Sequence, residues 1–76
     1  MKKEITSLEY WTIFGLSKSI NEHYQKIRDR ERIVQEILEH DETYFDHLSD
    51  MWYEDTFSLK EFDKAIRAMG IRVVDK

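Results

Sequence analysis

The sequence has 76 residues, of which 41% are hydrophobic and 13% aromatic, and it contains neither cysteine nor proline. This length suits one small domain, the apolar content argues against wholesale disorder, and the lack of cysteine excludes disulfides and thiolate chemistry. No apolar run approaches a bilayer span, and the start leads into acidic residues rather than an apolar signal segment. We therefore expect a soluble, intracellular single domain (1–76) with no membrane partner.

The formal net charge of −4 conceals a strong asymmetry along the chain. Residues 35–63 carry one Lys/Arg against ten Asp/Glu, a net charge of −9, whereas residues 1–34 carry +2 and residues 64–76 carry +3. Segregated charge of this kind suggests one or two partner-facing surfaces. The overall acidity counts against tight nonspecific binding to phosphate backbones.

A first helix is predicted at about 7–14. Thr6-Ser7-Leu8-Glu9 has the pattern of a capping box, in which the Thr6 hydroxyl accepts from the Glu9 amide and the Glu9 carboxylate reaches back. Gly15 is expected to end this helix, because glycine adopts the left-handed conformation common at helix ends.

A second, central helix is predicted at about 19–39, starting at a second box, Ser19-Ile20-Asn21-Glu22, with Ser17 as the alternative cap. Residues recur along it at alternating spacings of four and three, which indicates one helical seam. The seam consists of Ile20, Tyr24, Ile27, Glu31, Val34 and Leu38. Glu31 is its only polar member, so it should either have a partner or lie where the seam leaves the core.

A third helix is predicted at about 43–53, with Asp41 or Thr43 as its cap, and a fourth at about 59–69. Ser58-Leu59-Lys60-Glu61 is another capping box, and Gly70 with Ile71 is typical of a Schellman ending. Residues 71–74 form a short apolar tail that is either extended or packed across the bundle end. The predicted fold is all-α, a small irregular four-helix bundle with this C-terminal tail.

Three motifs that could carry function are judged weak. A helix-turn-helix around Gly15 would place Trp11 where a small side chain is usual and Asn21 at a core position. A calcium loop over residues 50–61 lacks the glycine of its sharp turn and has Trp52 in place of an oxygen ligand. The acidic and histidine residues of 40–50 lack metal-ligand spacing. No catalytic residues, metal site or cofactor are expected.

Two charged surfaces are the candidate sites. On helix four, successive basic residues share an arc that points away from the apolar stripe, and further basic residues follow it. The predicted phosphate-contacting residues are Lys60, Lys64, Arg67 and Arg72. The alternative is an acidic pole that binds a basic protein, possibly by mimicking the charge of DNA, formed by Asp46, Asp50, Glu54 and Asp55. Most aromatics, including Trp11, fall on predicted buried stripes, and Trp52-Tyr53 is kept open as a base-stacking pair.

The length, the four short helices and the opening Glu9-Tyr10-Trp11 followed by Gly15-Leu16-Ser17-Lys18-Ser19 resemble a family of phage proteins. These are the small accessory polypeptides of the bacteriophage recombination helicase UvsW, whose fold is compared with the nucleic-acid-binding HRDC module of RecQ-type helicases. The resemblance implies a helicase-associated helical module in the host cytoplasm, acting in DNA recombination, repair or replication. Its partners would be DNA, bound weakly and by structure rather than sequence, and a helicase or other recombination protein.

Overall fold

The computed structural model describes residues 3–23, 28–39, 45–53 and 57–75. Along these ranges the chain forms β1 (Glu4–Thr6), α1 (Ser7–Glu22), α2 (Arg28–Leu38), α3 (Phe45–Trp52), α4 (Leu59–Ala68) and β2 (Arg72–Val74). The described fold is therefore mostly helical, in keeping with the predicted class. It also contains a small sheet that the sequence analysis did not anticipate.

Helix α1 begins where the capping box predicts and ends much later than expected. The Glu9 amide donates to the Thr6 hydroxyl at 3.1 Å, and the Thr6 amide donates to the Glu9 carboxylate at 2.9 Å. The predicted end near residue 14 is wrong, because the helix runs through Gly15 to Glu22. Its buried residues, spaced by three and four, extend on both sides of the glycine, so burial outweighs the roughly 1 kcal/mol that glycine costs inside a helix. They are Tyr10, Ile13, Ser17 and Ile20.

The predicted second helix at 19–39 is therefore two elements. Residues 19–22 form the last turn of α1, where the His23 amide donates to the Ser19 carbonyl at 2.9 Å, and α2 starts at Arg28. Tyr24 and Ile27 of the predicted seam lie outside the described residues, while Val34 and Leu38 are fully buried. Glu31 accepts a hydrogen bond from the Tyr53 hydroxyl. Of the two alternatives for this polar residue, a partner or a place outside the core, the structure therefore shows a partner.

Helix α4 has both predicted ends. The Glu61 amide donates to the Ser58 hydroxyl at 3.3 Å, and Phe57 packs edge-on against Phe62 with centroids 6.5 Å apart. Gly70 has φ = 77°, its amide donates to the Arg67 carbonyl, and the Ile71 amide donates to the Ile66 carbonyl. These two bonds define the Schellman ending. The third helix, predicted at 43–53, is α3 at Phe45–Trp52, and its proposed caps lie outside the described residues.

The short sheet joins the two ends of the described chain. Strands β1 and β2 pair in parallel, with Glu4 opposite Arg72, Ile5 opposite Val73 and Thr6 opposite Val74. The Arg72 amide donates to the Lys3 carbonyl at 2.8 Å, and the Ser7 hydroxyl donates to the Asp75 carboxylate at 2.5 Å. Of the two alternatives for the apolar tail, the extended one is observed.

The core lies between α1 and the other helices, and Ile5 and Ile71 extend it to the sheet. Trp52 is fully buried in it, with its indole Nε1 donating to the Ser17 hydroxyl at 3.0 Å. The Asn21 amide donates to the Trp52 carbonyl at 2.8 Å, which links the end of α1 to the end of α3. Helix α4 packs beside α1 through Tyr10, Phe14 and Phe62. This packing fixes which face of α4 remains open to solvent.

Candidate nucleic-acid interface

Three predicted basic residues lie together on the solvent side of α4. The opposite side of the helix buries Phe62 and Ile66, which anchor it to the core. Residues 60, 64 and 67 are all exposed, and spacings of four and three place them on one face. We call this surface the basic strip, and it consists of Lys60, Lys64 and Arg67.

Arg67 is held in place by an internal network. Its Nε donates to the Asp63 carboxylate at 3.2 Å, one helical turn earlier, and the Tyr10 hydroxyl donates to the other Asp63 oxygen at 2.8 Å. Burial and the hydrogen bond to Asp63 raise the pKa of Tyr10 to about 12, so this hydroxyl keeps its proton at neutral pH. Asp63 thus offsets much of the Arg67 charge while fixing the direction of its side chain.

The two lysines of the strip carry its free positive charge. Within the part of the chain that the structure describes, neither Lys60 nor Lys64 has an ion-pair partner. Lysine on an exposed helix face keeps its ammonium group hydrated and available to a phosphate. The strip therefore offers two free cations and one that is shared with Asp63.

Arg72, the fourth predicted contact, lies on a different element. It is on β2, directly opposite Glu4 of β1, and its guanidinium forms an ion pair with that carboxylate through Nη2 and, at 3.2 Å, through Nε. A surface depression of about 420 Å³ beside this pair is lined by Lys3, Glu4, Gly70 and Arg72. Glu4 offsets part of the Arg72 charge, so Arg72 is not one of the free cations, and its contact with a phosphate stays a prediction.

The structure describes the side chain of only one of the four residues of the acidic pole. Asp50 is exposed on α3. The side chain of Asp46, also on α3, and the whole of Glu54 and Asp55 lie outside the described residues. Glu36 on α2 is exposed and pairs with Arg32 at 4.0 Å, and Glu39, one residue past α2, is also exposed.

Of the two tryptophans predicted on buried stripes, one is buried and one is exposed. Trp52 is fully buried, so it is unavailable for base stacking, while Tyr53 is 42% exposed and its hydroxyl donates to Glu31 at 2.5 Å. Trp11, predicted to be buried, is 54% exposed and touches Tyr10 and Phe14 with ring edges. If the helix is continued through Gly15, a helical wheel places Trp11 away from the buried stripe of Tyr10, Ile13 and Ser17. The sequence analysis missed this because it ended the helix at Gly15.

Two of the weak motifs disagree with the described backbone. The helix-turn-helix alternative needs a turn at Gly15, and α1 is continuous there. The calcium-loop alternative needs residues 50–52 in a loop, and they lie in α3 with Trp52 buried. Among the described side chains, no three acidic or histidine residues come together as a metal site.

Neither a family model, nor a curated protein, nor a solved structure matches this chain. In the described ranges, no helix is both long enough and apolar enough to span a bilayer.

Proposed function

We propose that this chain is a non-catalytic module that binds nucleic acid weakly through the basic strip of α4. The observation that carries the proposal is a pair of exposed lysines, Lys60 and Lys64, one turn apart on the face opposite Phe62 and Ile66, with no ion-pair partner among the described residues. Cations on the outer face of a packed helix can approach a phosphate backbone without any change in the core. In this proposal the helices form an irregular four-helix bundle that serves as a rigid support for the strip.

The charge distribution sets the expected strength and selectivity. Two or three phosphate contacts and a net charge of −4 favour a dissociation constant on the order of 10–100 μM at physiological salt. Contacts to phosphates position a protein without reading base edges, so binding should follow the structure of the nucleic acid rather than its sequence. The acidic excess over residues 35–63 would orient the domain by repelling phosphates from that part of the molecule.

The helicase context of the proposal comes from the resemblance in sequence. We propose that the module assists a recombination helicase in the host cytoplasm, in DNA recombination, repair or replication. An unwinding assay tests this: adding the purified chain to a UvsW-type helicase should change the rate on branched DNA, and an unchanged rate over the binding range argues against it.

The binding proposal is tested by charge reversal on the strip. Anisotropy with labelled single-stranded and branched DNA between 50 and 200 mM salt gives the affinity and its salt dependence. Lys60→Glu/Lys64→Glu should weaken binding to every sequence alike and flatten the slope of log affinity against log salt by about 0.7–0.9 for each lost contact.

Lys18→Glu on α1 is the control for a single reversal, Lys64→Glu, since it makes the same change of charge at an exposed lysine outside the strip. It should leave the salt slope near the wild-type value. Circular dichroism checks that each variant folds. If the double variant binds with wild-type affinity and slope, the strip is only a solvated face and the proposal fails.

The second candidate is an acidic protein-interaction module. It is favoured by the exposed Asp50 on α3 together with the net charge of −9 over residues 35–63. A basic partner would bind this side, and DNA would compete for that partner rather than for the chain. Retention of a basic protein by the immobilised chain, released by added DNA and weakened by Asp50→Lys, would support this function over the first.

A further inference from the structure

Trp11 places an exposed indole at the border between α1 and α4. It is 54% exposed, and its ring touches Tyr10 at a centroid distance of 5.2 Å and Phe14 at 5.9 Å. Both contacts are close to perpendicular, so neither neighbour lies stacked on the indole. Tyr10 and Phe14 also pack against Phe62 of α4, at 5.1 and 5.2 Å. The indole is therefore held on the side of α1 that borders α4, with more than half of the residue open to solvent.

The basic strip lies on the same side of the molecule as this indole. The Tyr10 hydroxyl donates to Asp63 at 2.8 Å, and Asp63 also accepts from Nε of Arg67 at 3.2 Å. At about 100° per residue, Asp63 is only about 40° from Arg67 around α4 and about 60° from Lys60. Trp11 directly follows Tyr10 and faces solvent. One exposed surface therefore runs from Trp11 across Asp63 to the strip.

An exposed indole beside free cations is suited to a single strand of nucleic acid. Lys60 and Lys64 have no ion-pair partner among the described residues, so they complement a polyanion. Aromatic side chains beside a positively charged surface bind single strands, because every base has a face that can stack on a ring. The charge of the strip therefore favours a polyanion over an apolar protein surface as the occupant beside the indole.

We infer that Trp11 stacks on a base of single-stranded nucleic acid whose phosphates contact the basic strip of α4. This inference rests on the binding function proposed above and names its ligand class. Stacking tolerates every base, so the preference is for single strands and not for a sequence. Asp63 lies between the indole and the lysines, but its carboxylate accepts from both Tyr10 and Arg67, and Arg67 offsets its charge.

Three probes that differ in their bases separate stacking from phosphate contact. They are a strand of about ten thymidines, a duplex of the same length, and a base-free deoxyribose-phosphate strand of the same length. Fluorescence anisotropy gives the affinity for each. The wild-type chain should bind the thymidine strand about fivefold or more tightly than the base-free strand, because the two carry the same phosphates and only one can stack.

Substitution of Trp11 tests the ring itself. Trp11→Leu keeps an apolar side chain against Tyr10 and Phe14 but has no ring for a base. It should weaken binding of the thymidine strand about fivefold or more and leave the base-free strand and the duplex unchanged. The salt slope should stay at the wild-type value, because no phosphate contact is lost. Trp11→Phe should keep most of the affinity.

Leu8→Ala is the control for loss of exposed apolar surface on α1. Leu8 is 76% exposed, and it lies about 160° from Tyr10 around the helix, on the side away from α4. This variant should bind all three probes like the wild type. Circular dichroism checks that each variant folds.

Tryptophan fluorescence gives an independent readout of the contact. The sequence has two tryptophans, and Trp52 is fully buried, so quenching by a bound strand reports on Trp11. The thymidine strand should quench the emission, and the base-free strand should not.

Failure of this inference can be told apart from failure of the proposed function. If Trp11→Leu binds the thymidine strand like the wild type while Lys60→Glu/Lys64→Glu weakens it, the strip binds nucleic acid and the stacking inference is wrong. Equal wild-type affinities for the thymidine and base-free strands lead to the same conclusion. If none of the probes binds, or if the lysine reversal has no effect, the proposed function fails and the inference fails with it. Fluorescence of Trp11 that changes with protein concentration and not with the thymidine strand would overturn the inference and assign the indole to a contact between copies.

Discussion

The indole Nε1 of Trp52 donates a hydrogen bond to the Ser17 hydroxyl at 3.0 Å, and both side chains are fully buried. This bond joins α3 to the part of α1 that lies beyond Gly15. It gives the largest side chain of the core a fixed orientation and gives a buried hydroxyl its partner. Ser17 is the only buried polar residue among those described.

Ser17→Ala should lower the free energy of unfolding by about 1–3 kcal/mol, because it leaves the buried indole N–H without an acceptor. Urea denaturation followed by circular dichroism measures the change. Ser19→Ala, two residues further along the same helix and only half-buried, is the control and should stay within about 0.5 kcal/mol of wild type. Equal effects of the two substitutions would contradict the assigned role of Ser17.

The two glycines should respond to alanine with opposite signs. Gly15→Ala should raise the free energy of unfolding by about 0.5–1 kcal/mol, since Gly15 lies inside a helix with open space around it. Gly70→Ala should lower it by about 1 kcal/mol or more, because Gly70 has φ = 77° at a Schellman ending. Thermal unfolding at low protein concentration measures both. A loss of stability in Gly15→Ala would restore the helix break that the sequence suggested.

Tyr10 should make stability depend on pH in the alkaline range. An unfolded tyrosine titrates near 10, whereas burial and the hydrogen bond to Asp63 raise the pKa of folded Tyr10 to about 12. The folded state therefore holds this proton more tightly, so the stabilisation is complete below pH 10 and is lost as the pH rises towards 12. The loss amounts to at most about 2–3 kcal/mol.

The comparison that isolates this effect is Tyr10→Phe. Tyr53, whose pKa is also raised to about 12 by burial and by its bond to Glu31, is present in both proteins and contributes equally. Urea denaturation at pH 8 and pH 11.5 should show a smaller loss of stability in the variant. Identical losses in the two proteins would mean that Tyr10 has an ordinary pKa.

The ion pair between Glu4 and Arg72 across the β1–β2 sheet can be tested by exchanging the two charges. Arg72→Glu places two carboxylates opposite each other on β1 and β2 and should cost about 0.2–1 kcal/mol. Glu4→Arg/Arg72→Glu should recover most of that loss. Neither variant should change DNA affinity as much as Lys60→Glu/Lys64→Glu. A large loss of DNA affinity in Arg72→Glu, with the fold intact, would return Arg72 to the interface.

The parts of the fold that the sequence predicted are those with local causes. The box at Thr6, the cap at Ser58 and the left-handed Gly70 each depend on residues within one or two turns of one another, and all three are observed. The outward direction of Lys60 and Lys64 follows in the same way from the period of α4. Such features need no knowledge of the rest of the chain.

The parts that could not be predicted depend on contacts between distant residues. Gly15 was taken as a helix end because nothing local shows that Ser17 is needed by Trp52, 35 residues away. The β1–β2 sheet and the Glu4–Arg72 pair join positions 68 residues apart, and strands of three residues leave little periodicity to detect. The pairing of Arg72 with Glu4 was hidden for the same reason.

An NMR titration tests most directly whether the basic strip of α4 contacts nucleic acid. Unlabelled single-stranded or branched DNA is added to ¹⁵N-labelled protein at low salt, and amide shifts are followed residue by residue. We expect the largest changes at Lys60, Lys64 and Arg67, reduced by added salt, with little change at Asp50. Changes centred on α2 and α3, or no changes at DNA concentrations of several hundred micromolar, would contradict it.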